Sequence, residues 1–475
     1  MVFSSVLFLF YFFPVVLFCY FAVRKELRNI TLLCFSLLFY AWGEPKFIFL
    51  LLLSICINYL SGIGIHWFGG SMGAKIILAA SLMANLGILA FYKYINFGIS
   101  IINHIIGWFA LPTTIPALTV ALPIGLSFFT FQGISYVIDV YRKEIPVQKN
   151  PFYVALYISL FPQLVAGPIV RYSDIYHEFK ERDSSFDDIV AGTKRFIIGL
   201  AKKVIIADVL ASAVDPIFSL PTSQLELTTA WLGAICNTYQ IFFEFSGYSE
   251  MAIGIGRIFG FHFQENFNLP YISTSVREFW RRWHISLSSW FRDYLYIPLG
   301  GNRQGNTYLN LFIVFICTGL WHGAAFTFLF WGLWHGFFLI AERIGKRQGW
   351  AAPVPKVVRW LYTTLVVVFG WVLFRSNGMN HAIAYFQAMV GIYPKGFRQF
   401  GLAYYLNNHV LFTLIVALNV SLGIPGMVFK RLENRFLALA EYSEYLRILG
   451  LWVLLFSSIC MIVNGNYSPF IYFRF

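Results

Sequence analysis

The sequence predicts an all-α, polytopic integral membrane protein, on three observations. Of its 475 residues 58% are hydrophobic and only 12% charged, where a soluble chain carries about 25% charged residues. The mean hydropathy is +0.67. Apolar runs of about 20 residues, enough for a helix to cross about 30 Å of hydrocarbon, recur along the chain. Lipid replaces water around such a chain, so its length implies one membrane domain over 1–475 rather than several soluble ones.

In chain order, candidate spans lie at 4–23, 46–64, 76–92, 94–111, 117–140, 151–170, 227–247, 307–340, 357–374, 408–428 and 447–464. The first run, Val6 to Val23, is followed by Arg24-Lys25 and has neither a basic segment before it nor a small-residue cleavage site. It reads as a retained span and not a signal peptide. Thr31 to Trp42 would make a helix of only about 18 Å, ended by Gly43-Glu44-Pro45, which fits a re-entrant or half-span element. Basic clusters at Arg24–Arg28, Arg142–Lys149, Arg343–Arg347 and Lys430–Arg435 are expected on the cytoplasmic side. Their spacing keeps the short run from crossing, puts the N-terminus outside the cytoplasm and gives about eleven to thirteen membrane elements.

Thirty-five Lys and Arg against 22 Asp and Glu leave a formal charge of +13. In a membrane chain this reads as basic loops facing anionic lipid, with no nucleic-acid partner. Cys19, Cys34, Cys56, Cys236, Cys317 and Cys460 are scattered, with no disulfide framework or metal-ligand spacing. Residues 188–212 carry Lys194, Arg195, Lys202 and Lys203 on one half of a helical wheel, which predicts a helix lying in the membrane interface. A second interfacial helix is expected over 274–293. Read as one helix, 277–293 sets Arg277, Arg281, His284, Ser288 and Arg292 on an arc of about 80°, opposite Phe279, Trp280, Trp283, Leu287 and Trp290. Its polar face either binds lipid phosphates or lines a cavity for an anionic cofactor or substrate.

From Leu309 to Ala341 there is no Asp, Glu, Lys or Arg, yet His322 and His335 interrupt the run, each within Gly-Leu-Trp-His-Gly. An ionisable group at membrane depth is costly and marks function. As one helix this run would be about 50 Å long, so its glycines are expected to break it in two. His322, deep in the run, is the expected catalytic residue. His335, nearer Glu342, Arg343 and Lys346, is expected to find an interfacial hydrogen bond. A buried neutral imidazole can take a proton from an attacking hydroxyl and return it to a leaving thiol. There is no Walker loop, HExxH motif or G-x-S-x-G elbow. Gly254 and Gly256 read as close-packing residues. Asp139, Asp208, Glu244 and Glu250 are the acids in apolar surroundings, and the Glu244–Glu250 stretch either lines a polar cavity or ends a helix at the interface.

The motifs are Leu122–Gln132, Phe161–Ile169, Glu244–Gly254, Asn266–Tyr271, Arg277–His284 with Asp293–Asn302, and Thr318–Gly323. Through them nearly the whole chain resembles the membrane-bound O-acyltransferase superfamily, in its bacterial branch of alginate and related polysaccharide or peptidoglycan O-acetyltransferases. The resemblance implies a helical spiral around a central tunnel, with N-terminal spans in 1–112, a catalytic core in 113–345 and C-terminal spans in 346–475. It carries the catalytic histidine onto His322 and a second polar catalytic position onto His284. Arg277, Arg281, Arg292, Asn268 and Trp321 are donor- or substrate-binding candidates. Many relatives are expected to hold Asp where this chain has Glu244 and Glu250, which leaves an acidic role there open. The implied setting is a bacterial inner membrane. No cofactor or metal is bound, and acetyl-CoA serves as donor substrate. The implied partners are membrane lipid, a separate periplasmic or extracellular esterase-like protein and a polysaccharide acceptor. D-alanyl or other acyl transfer to a teichoic acid, lipid or protein is the nearest alternative. A channel or carrier with a histidine proton relay is the alternative of another class, and would move substrate without consuming acyl-CoA.

Overall fold

The computed structural model describes residues 2–111, 113–165, 167–349, 354–392, 400–435 and 437–465; of the motifs above, Ala166 lies outside them. Every regular element among the described residues is helical, as the composition predicts. The chain divides into two compact units.

The first unit is Met1–Thr193 with Ala252–Gln264. A π turn at Phe8–Phe12 leads into α1 (Phe13–Ala22). The short apolar run becomes α2 (Arg28–Gly43), 16 residues, or about 24 Å. α3 (Ile48–Phe68) is a full-length span closed by Gly69 at φ 43°. The spans expected at 76–92 and 94–111 are instead one helical run, α4 (Met72–Leu89) and α5 (Ile95–Trp108) joined by a π turn. No Gly or Pro stands between Leu89 and Ile95, and a lone Lys93 does not break a helix.

Prolines correct the next two expectations. The span at 117–140 starts late, as α6 (Leu126–Arg142), after Pro123 and Gly125 at φ 78°. A Cβ on Gly125 would lie 2.7 Å from the Leu164 carbonyl oxygen. The span at 151–170 is broken into α7 (Pro151–Ser159) and α8 (Phe161–Leu164), because Pro162 has no N–H to continue the ladder. Two single turns follow, α9 (Tyr172–Ile175) and α10 (Glu178–Glu181). The surplus of phenylalanine is spent inside: the Phe161 ring packs on Phe12 and Phe39 at 5.5 Å and on Phe259 at 6.1 Å. Reciprocal amide bonds of 3.1 and 3.0 Å join Asn58 of α3 to Asn85 of α4.

The second unit is Lys194–Met251 with Glu265–Phe475. α11 (Phe186–Ala201) runs through a π turn into α12 (Asp208–Phe218), and α13 (Leu227–Ile258) is 32 residues long; α11 and α13 each contribute to both units. The helix expected at 188–212 forms, and its four bases are all paired with acids, Lys194 with Glu444 at 3.5 Å. Arg195 is paired with Glu250 and Glu265, Lys202 with Glu250 at 3.3 Å, and Lys203, only 3% exposed, with Asp208 and with Glu244 at 3.4 Å. Acids on α13, placed a few residues apart, draw the basic face inward. A Cβ on Gly199 would meet the Gly247 carbonyl at 2.6 Å, so the helices approach by their small residues. In the first unit a Cβ on Gly192 would meet the Gly254 carbonyl at 2.5 Å, and one on Gly256 would meet the Phe263 ring at 2.5 Å, so Gly256 is the close-packing residue it was expected to be.

Beyond α13 come two short helices, α14 (Val276–Arg282) and α15 (Ile285–Phe291), and then α16 (Thr307–His322), α17 (Phe326–Arg347) and α18 (Lys356–Arg375). α19 (Met379–Met389) and the turn α20 (Leu402–Tyr405) follow. The span at 408–428 is two helices, α21 (Asn408–Ser421) and α22 (Ile424–Arg435), bent by 65° where Gly423 and Pro425 interrupt it. α23 (Leu437–Val463) is last. By length and composition four described helices can cross a membrane, Ile48–Phe68, Met72–Trp108, Lys356–Arg375 and Tyr442–Val463, and the bent pair adds a fifth if it is one broken span. The chain is a multi-pass membrane protein.

Candidate active site

The repeated pentapeptide explains itself at the turn between α16 and α17. Gly323 and the residues after it break the apolar run in two, as its glycines predict. The first glycines of the two copies face each other: a Cβ on Gly332 would meet Phe315 O at 2.2 Å and Gly319 Cα at 3.1 Å, and one on Gly319 would meet Phe328 O at 2.4 Å. Backbones this close leave no room for a side chain. Gly332→Ala should therefore cost about 1–3 kcal/mol by overpacking and lower the midpoint of thermal unfolding in detergent. Gly87→Ala in α4, with nothing within 4 Å of the added carbon, should leave the midpoint unchanged or raise it.

That hairpin seats His322, 4% exposed, at the last residue of α16. Its ring packs edge-on against Trp331 at 4.9 Å and Phe374 at 5.3 Å, and Trp321 lies at 4.9 Å. The His284 ring is 6.3 Å from His322 and 5.8 Å from Trp321, with Phe245 of α13 on it at 4.6 Å. His284 is fully buried, and burial pushes its imidazole below its ordinary pKa. Two buried imidazoles and an indole thus converge in apolar surroundings, where burial favours the neutral, proton-accepting form.

His284 is not on a continuous helix with its arginines, as the 277–293 reading required. It sits between α14 and α15 at φ 44°, a left-handed conformation that costs a non-glycine residue energy and collects at functional sites. The break turns the imidazole inward, to the side of Trp283 and Trp290. Arg277, Arg281 and Arg292 remain exposed, and Arg292 is held by Asp293 at 2.6 and 2.9 Å. Ser275 and Glu342 cap α14: Ser275 accepts the Glu278 N–H at 3.0 Å, and Glu342 accepts those of Val276 at 2.6 Å and Arg277 at 3.1 Å. Of the seven predicted site residues the structure brings together His322, His284 and Trp321, and it leaves the three arginines and the exposed Asn268 outside.

Asn266 is the residue that sequence reasoning passed over, although it lies in the motif that supplied Asn268. Buried, its Oδ1 is 3.1 Å from His284 Nδ1 and accepts the Ser286 N–H at 3.2 Å and hydroxyl at 2.9 Å; its backbone oxygen accepts the Ile285 N–H at 3.0 Å. His335 also departs from expectation. It is fully buried among Trp280 and Trp331, each at 5.2 Å, and Phe279 at 6.3 Å, and neither ring nitrogen has a partner among the described residues. The reason is length: α17 carries the charged residues from Glu342 onward about 10 Å further along the axis.

Residues 134–383, which hold His284, His322 and His335, match the model of the membrane-bound O-acyltransferase family. The chain belongs to this family. It is 46% identical to the probable alginate O-acetylase AlgI of Pseudomonas aeruginosa, over 82% of this chain and 75% of that one. To the protein of the same name from Pseudomonas putida it is 40% identical over 100% of both chains. To the peptidoglycan O-acetyltransferase of Helicobacter pylori it is 36% identical, over 82% of this chain and 80% of the other. The chain is accordingly an acyltransferase, and the site built on α16 lies within the matched segment.

Proposed function

We propose that this acyltransferase moves an acetyl group from cytoplasmic acetyl-CoA across a bacterial inner membrane, for O-acetylation of an extracytoplasmic polysaccharide. One observation carries the chemistry: His322, at the end of an apolar helix, stands 6.3 Å from a second buried imidazole, His284. His322 acts as general base. The acceptor hydroxyl oxygen attacks the thioester carbonyl carbon; the C–O bond forms as the C–S bond breaks. The hydroxyl proton passes to His322 and from it to the sulfur, so that CoA leaves as the thiol and His322 ends neutral. His284 orients or assists, and Trp321 walls the space between them. The arginines lie away from the rings, so their part is to attract the CoA phosphates from outside it. The names of the relatives, alginate O-acetylase and peptidoglycan O-acetyltransferase, support a polysaccharide acceptor, reached directly or through a separate esterase-like protein outside the membrane.

The test is reconstitution in lipid vesicles with acetyl-CoA on one side, reading thiol release, together with ester-bound acetate on envelope polymers of a strain lacking the chain. Thiol release and loss of acetate from one polymer are expected. Unchanged acetylation of every polymer would overturn the polysaccharide reading. Thiol release only from a D-alanyl thioester would replace acetyl with aminoacyl transfer, and solute movement with no thioester consumed would favour a carrier.

A further inference from the structure

The hydrogen bonds around Asn266 determine which nitrogen of His284 carries the proton. A backbone N–H can only donate, so the Asn266 side-chain atom 3.2 Å from Ser286 N must be the oxygen; the flipped amide would set donor against donor. The Ser286 hydroxyl donates to the same oxygen at 2.9 Å. His284 Nδ1, 3.1 Å from that oxygen, must then carry a hydrogen and donate as well. A neutral imidazole has one N–H, and burial keeps this ring neutral. Nε2 is therefore left as a bare lone pair, buried and without a partner among the described residues. The left-handed backbone at His284 is held by the same residue, whose main-chain oxygen accepts the Ile285 N–H.

We propose that Asn266 is a positioning residue: by fixing the Nδ1–H tautomer it makes His284 a hydrogen-bond acceptor at Nε2, able to take an O–H of the acceptor molecule other than the one His322 deprotonates, and unable to donate to the thioester oxygen. This rests on the acyl-transfer reading above, and it decides a role that reading leaves open, since a group that orients or assists can do so as donor or acceptor. The ring centroids of His284 and His322 lie 6.3 Å apart. Among the described residues the side chains against His284 include Asn266, Ser286, Phe245, Trp321 and His322, and of these five His322 is the ionisable one.

The experiment compares Asn266→Ala and Asn266→Asp in the full chain, reconstituted with acetyl-CoA, by the pH profile of thiol release. Alanine removes the oxygen, frees the tautomer and should lower the rate about 100-fold, the scale of a misaligned proton acceptor. Aspartate keeps an acceptor in place and should recover at least about a tenth of the wild-type rate at high pH. Its negative charge favours the imidazolium, so the acid limb of the profile should move to higher pH, by about one unit or more. Three outcomes would overturn the proposal: an alanine variant at the wild-type rate, an aspartate variant with the wild-type acid limb, or an aspartate variant that no longer runs as a monodisperse folded protein. The last would make Asn266 a support of the fold alone. Wild-type protein inert toward acetyl-CoA would instead count against the donor assignment, a separate failure.

Discussion

His322→Ala should leave a folded protein in the membrane and lower acetyl transfer by about 10²–10⁴-fold, the range general-base catalysis supplies. The argument turns on what else the ring does. It fills space between Trp331 and Phe374, so alanine also opens a hole, and some loss of thermal stability is expected with it. His322→Gln separates the two effects, since it keeps most of the volume and a hydrogen-bonding end but no base of useful pKa. If both variants lose transfer and only alanine loses stability, the imidazole is needed for its chemistry. Transfer near wild-type levels in the glutamine variant would remove His322 from the mechanism. His335→Gln is the contrasting case: the residue sits in the same pentapeptide but behind Trp331, and its loss should register in the unfolding midpoint before it registers in the rate.

The candidate site was legible because lipid makes polar residues rare. Two histidines in a run without Asp, Glu, Lys or Arg stand out, and the family motif separates them. Helix content was legible for the same reason. Breaks were legible only where a proline or glycine was weighed: the run at 307–340 was expected to split, whereas 117–140 and 151–170 were read through Pro123 and Pro162. The polar face of 277–293 failed because helical periodicity assumes helical dihedrals throughout, and one residue at φ 44° rotates everything after it. Asn266 lies in an irregular stretch with no period to show which side chains turn inward. Its role depends on a partner 18 positions away and on the direction of one backbone N–H. The ion pairs of the basic stripe at 194–203 were not legible, because a periodic pattern of bases does not show which acids lie opposite it. Here Glu244 and Glu250 of α13 neutralise it from within the protein.

That burial makes Lys203 the most consequential structural charge. Its side chain is 4% exposed, and its ammonium is paired with the carboxylates of Asp208 and Glu244, whose side chains are 9% and 1% exposed. One cation serves two buried acids, and burial pushes Asp208 up to about 7 against the pull of Lys203. Lys203→Met keeps the aliphatic stem but leaves both acids without their cation, and removing one partner from a buried ionic group costs about 3–5 kcal/mol. The unfolding midpoint in detergent should fall sharply at neutral pH. The pH dependence follows from the sign of the shift: a carboxyl whose folded pKa is raised is most favourable to the fold below its unfolded value of about 4 and loses that contribution as pH rises through the folded one. The deficit of Lys203→Met should therefore be small near pH 4 and largest above pH 7. Adding Asp208→Asn and Glu244→Gln should restore stability at neutral pH, because uncharged amides of the same shape need no counter-ion. A Lys203→Met protein as stable as wild type at pH 8 would mean that the carboxylates find another cation or water. The triad would then be a solvated surface feature rather than a buried ionic core.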